Sequence, residues 1–143
     1  MSEQVHDKKT IAVTQLETAL RLYNEGSDYY SVITLAGAAD EILGRMLAAK
    51  GKKPFVRALA EGAAEMHRLL FGSDVGVKDF VDRSNRAKNT LKHHGPGSPQ
   101  GTAFDAREEA IDMLDRAVTN YWHLEHNATP AMTAFVDSQR AAV

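Results

Sequence analysis

The sequence predicts an all-α fold, a single up-and-down bundle of five or six helices. Three observations carry this reading. Apolar residues recur at three- and four-residue steps along most of the chain, and no alternating strand pattern interrupts them. Proline and the glycine clusters fall between the periodic segments. A length of 143 residues suits one domain, residues 1–143, large enough to bury a core without disulfide or metal staples.

The elements follow in order. Residues 1–7 are polar and are expected to form a flexible N-terminal segment. The first helix is expected over 8–24, with Ile11, Leu16, Leu20 and Tyr23 on its apolar side. Glu25, Gly26 and Ser27 make a turn, and Asp28 can cap the second helix, expected over 29–50. There Val32, Leu35, Ala36, Ala39, Ile42, Leu43, Met46 and Leu47 fill one wide arc. The small residues Gly37 and Gly44 let a neighbouring helix come close. The third helix opens near Pro54 and stops near Gly72. A fourth is expected over 75–94, stopped by Gly95 and Pro96. Residues 95–101 read as a loop. The fifth helix is expected over 105–125. Thr129 then caps a short last helix that begins at Pro130 and runs through Phe135.

Composition excludes several chemistries. The chain has no Cys, hence no disulfide, thiolate metal site or cysteine nucleophile. It shows no apolar signal region, and its longest weakly apolar run, 32–39, is far below the ~20 residues that span a bilayer. A cytoplasmic location with no membrane partner is therefore expected. A net charge of −2 confines any polyanion site to a local patch. The Glu-x-x-His pattern of paired-metal bundles occurs once, at Glu3 and His6, ahead of the first helix. His123 and His126 lack a carboxylate at a matching third position and suit a helix C-terminus. The glycines at 95, 97 and 101 follow a helix, which is the wrong order for a phosphate-binding loop. No metal and no cofactor are expected.

One stretch, residues 85–96, gathers the side chains suited to chemistry. From Arg83 to His94 there are four Lys or Arg residues and no acid. On a continuous helix Val77, Phe80, Val81, Ser84, Ala87 and Leu91 form an apolar arc. Asn85, Arg86, Asn89, Lys92 and His93 form a polar arc beside it, with His94 at the end. The simplest account is a helix C-terminus made favourable by cations, about 0.3–1 kcal/mol each. Lys88, however, falls inside the apolar arc, and Asp40 falls inside that of the second helix. A buried charge without a partner is costly. An ion pair between Asp40 and Lys88, or another base of this face, is therefore expected, leaving Arg86, Asn89 and His93 for a ligand.

Four segments together resemble a group of small bacterial proteins with the architecture of HEPN domains, the helical bundles named for nucleotide binding in higher eukaryotes and prokaryotes. The first is Leu35-Ala36-Gly37-Ala38-Ala39-Asp40-Glu41-Ile42-Leu43-Gly44. The second is Lys88-Asn89-x-Leu91-Lys92-His93. The third is Met113-Leu114-Asp115-Arg116-Ala117 with Asn120 and Tyr121, and the fourth is Thr129-Pro130-x-Met132. HEPN nucleases are metal-independent ribonucleases, usually dimeric, with an Arg, four to six residues, then a His, and commonly a polar residue after the Arg. Here Lys88 stands four residues before His93 and is followed by Asn89. Arg86 stands six before it and is followed by Ala87. The resemblance implies a catalytic set of His93, Arg86 and Asn89. Asn85, Lys92 and His94 would bind, and a homodimer would take RNA or a nucleotide on the polar face of the fourth helix. Three readings follow: a dimeric module that binds a nucleotide, RNA or protein partner; a ribonuclease using His93 with Arg86 or Lys88; and a structural bundle.

Overall fold

The computed structural model describes residues 2–143. All regular structure among them is helical: α1 (Lys8–Glu25), α2 (Tyr29–Ala49), α3 (Phe55–Phe71), α4 (Val77–Ser84), α5 (Arg86–Lys92), α6 (Ala106–Glu125) and α7 (Pro130–Ala141). The all-α expectation holds, but the count is seven rather than five or six.

Local chemistry sets most boundaries. Asp7, Asp28, Asp105 and Thr129 each accept a backbone N–H of the first turn that follows. Gly26 closes α1 in the left-handed conformation at φ 72°, which a side chain would strain. Pro130 sits in the first turn of α7, where its missing N–H costs nothing. That helix continues to Ala141, past the expected end at Phe135, where Val136 still packs on the core and Gln139 donates to the Tyr23 hydroxyl at 3.4 Å.

The centre is α2, which packs most extensively on α6 and α1, with α7 closing the side at α1. Leu16, Leu20, Ile33, Leu43, Leu47, Met113, Leu114 and Met132 are fully buried there. The hairpin of α3 and α4 lies outside this core. Only Ala60 of α3 is buried, none of α4 is, and Leu59, Met66, Leu69, Leu70 and Phe71 are exposed. Helix α5 lies against α2.

The expected fourth helix is two. Asn85 breaks it at φ −97°, ψ −3°, and His93 already has extended backbone at φ −124°, ψ 126°. The cause lies in α6. Arg116 donates to the Ser84 carbonyl at 3.2 Å and to Asn85 Oδ1 at 2.9 Å, drawing the chain inward at that point. A side chain inserted into the backbone ladder is a recognised origin of a kink.

Candidate functional site

Four polar residues lie in the interior: Asp40, Lys88, Arg116 and Asn120. Asp40 of α2 accepts from Arg116 at 2.6 Å on Oδ2 and from Asn120 Nδ2 at 2.9 Å on Oδ1. Asn120 Oδ1 in turn accepts the Phe55 N–H at 2.8 Å. That bond supplies the first turn of α3 with the acceptor that Pro54 lacks. One connected network thus joins α2 and α6 to the start of α3 and to the α4–α5 break. Burial pushes the Asp40 carboxyl up, against the pull of Arg116 and Lys88.

The ion pair expected between Asp40 and Lys88 is not the one formed. Arg116 reaches Asp40 first, with a planar fork that also serves Ser84 and Asn85. The carboxylate nearest Lys88 Nζ is Glu41, at 3.9 Å. The Lys88 stem runs across Gly37 of α2, where a Cβ would stand 2.5 Å from Lys88 Cδ. This is the close approach that the small residues of α2 permit. Burial pushes the Lys88 ammonium down, with Arg116 adding repulsion and Asp40 and Glu41 opposing it.

The polar arc expected on one continuous helix is divided by the break at Asn85. Arg86, Asn89, Lys92, His93 and His94 line a surface groove of about 710 Å³, closed on its far side by residues 98–102. Asn85 and Lys88 line a separate pocket of about 390 Å³ under α5, beside Asp40, Glu41 and Arg116. Asn89 and Lys92 border both. The two candidate cations are therefore separated: Arg86 shares the groove with His93, and Lys88 does not.

The groove is built from α5 and the loop after it. Arg86 donates to the Ala103 carbonyl at 3.1 Å, tying the far end of the loop to α5. Ser98 Oγ accepts the Gly95 N–H at 3.0 Å and tightens the turn between them. The one acid on the groove wall, Asp82, is paired with Lys78. Among the described residues no carboxylate makes an ion pair with Arg86, Lys92, His93 or His94. The α6 acids Glu109, Asp112 and Asp115 face a different cavity, beside Arg83 and Ser84.

Arg116 and Asn120 enter the sequence reading only within a segment that carries the resemblance, with no role in a site. The signal was present. Met113, Arg116, Asn120 and Leu124 recur at core spacing on α6, so a cation and an amide stand where the fold demands burial. No group of three or more His, Cys, Asp or Glu side chains among the described residues is placed to hold a metal ion. No described helix is long and apolar enough to cross a membrane. Set against family models, curated proteins and solved structures, the chain matches none.

Proposed function

We propose that this bundle is a HEPN-like module that binds RNA or a nucleotide by its phosphates in the α5 groove. The observation that carries the reading is the charge of that groove. Two cations and two imidazoles converge there; the one acid on the groove wall, Asp82, is paired with Lys78, and Glu109 of α6 lies near enough to Arg86 to attract it without forming an ion pair. A polyanion that binds such a patch gains by releasing its condensed counterions into solution, even when the whole protein is slightly acidic. Asn89 adds an amide able to donate to a phosphate oxygen.

A ribonuclease reading is favoured by one specific feature, the presence of Arg86 and His93 in the same groove. In that reaction the RNA 2′-hydroxyl attacks the adjacent phosphorus as His93 accepts its proton. The 5′-oxygen leaves, taking a proton from solvent water, and a 2′,3′-cyclic phosphate remains. Arg86 stabilises the charge that builds on the phosphorus oxygens. Purified protein incubated with labelled RNA in EDTA, wild type beside His93→Ala, decides between binding and cleavage. Cleavage lost in the variant supports the enzyme. No cleavage in either, or equal cleavage in both, removes it and leaves the binding module.

The homodimer belongs to the same proposal. The exposed apolar side chains of α3, Leu59, Met66, Leu69, Leu70 and Phe71, form the surface a second copy would cover. Light scattering is expected to report twice the chain mass, and the mass of one chain would reject it.

A further inference from the structure

We propose that the pocket beneath α5, distinct from the groove, is a binding site for a phosphate group, with Lys88 as its central ligand. The Lys88 side chain is 9% exposed, yet its ammonium has no hydrogen-bond acceptor within the protein. The nearest carboxylate oxygen lies at 3.9 Å, and Glu41 is itself bonded to Arg45 at 2.8 Å. Both Asp40 oxygens are taken, by Arg116 and by Asn120. A compact ammonium carries three donors and is strongly hydrated in water. The Nζ itself is not fully enclosed, so its donors face the open pocket, where water or an anionic ligand supplies the acceptors.

The rest of the pocket fits an anion. Arg45, Lys88, Lys92 and Arg116 line it against Asp40 and Glu41, so four positive charges meet two negative ones and the surplus is two. Arg45 and Arg116 bond the two carboxylates directly, which leaves Lys88 with only a loose pairing to Glu41 at 3.9 Å and Lys92 with no ion pair among the described residues. Asn85 turns its Oδ1 to Arg116, and its amide NH₂ stays available as a donor. Arg116 also keeps a buried Nε without an acceptor. A phosphate monoester, close to dianionic near neutral pH, matches a surplus of two where a lone carboxylate does not. A cavity of about 390 Å³ lies in the ordinary range of small-ligand sites. The occupant is either free phosphate or the terminal phosphate of a nucleotide.

The test uses the full chain and two probes, inorganic phosphate and adenosine monophosphate, titrated by calorimetry at an ionic strength held constant with chloride. Wild type is expected to bind at least one of them saturably. Lys88→Met keeps the stem on Gly37 and removes the ammonium, and is expected to weaken binding tenfold or more. Tighter binding of the nucleotide assigns a terminal phosphate, and equal binding assigns free phosphate. Lys88→Gln also removes the ammonium, is expected to weaken binding to a similar degree, and serves in its place should Lys88→Met fail to fold. The proposal is overturned if neither probe binds wild type, or if the folded variants bind as wild type does. An RNA lacking a terminal phosphate reports on the groove alone, so either site can fail without the other.

Discussion

Arg116 performs several tasks with one guanidinium. It neutralises Asp40, bonds the Ser84 carbonyl and turns Asn85 inward. Removing one partner of a buried ion pair leaves the other charge uncompensated, which costs about 3–5 kcal/mol. Arg116→Met is expected to lose stability on that scale in urea unfolding, and adding Asp40→Asn should recover part of it. Gly37 offers a second test, because its role is to make room. Gly37→Ala places a methyl against the Lys88 stem and is expected to cost about 1–3 kcal/mol by overpacking. In a Lys88→Ala background the obstruction is gone. The same change should then become neutral or gain up to about 1 kcal/mol from helix propensity. A double-mutant cycle measures the coupling, and equal costs in both backgrounds would show that the two side chains do not meet.

Among the elements, helices closed by local chemistry were legible in the sequence, and the one closed from a distance was not. The Asp28 and Thr129 caps and the Gly26 and Gly72 stops place α1, α2, α3 and the start of α7 within a residue or two of expectation. The α4–α5 break was invisible because its agent, Arg116, stands 31 residues from Asn85 in the chain. The partner of Asp40 was missed for the same reason. Periodicity shows that a charge is buried, but not which of several distant bases reaches it. Charge on α6 gives a further expectation. Burial, and then the neighbouring Asp112, push the Glu109 carboxyl up from its usual value of 4.5. A carboxyl raised in the folded state contributes most stability below its unfolded pKa and loses it as pH rises through the raised value. Glu109→Gln is therefore expected to stabilise the protein at pH 7, with the gain fading as pH falls toward 4.5 and gone below it. Urea midpoints of both proteins across that range check the sign.

Across the whole molecule, the buried network divides the α5 region into two cavities. The core of α1, α2 and α6 fixes α5 through Gly37, and Arg116 breaks the chain at Asn85. Helix α5 then presents Arg86 to the groove and Lys88 to the pocket, and His93, just past its end, joins Arg86 in the groove. The cationic character of this stretch was readable from its composition, whereas its division between two cavities required the break. The loop 95–101 was read as a connection, yet it supplies one wall of the groove. The central claim is that the groove binds nucleic-acid phosphates. Fluorescence anisotropy with a labelled single-stranded RNA lacking a terminal phosphate, measured across a salt series, tests it most directly. Binding is expected to be saturable, to weaken as salt rises, and to lose about one unit of log–log salt slope for each cation removed in Arg86→Gln and Lys92→Gln. No binding at low salt, or variants that bind with the slope of wild type, would contradict the account.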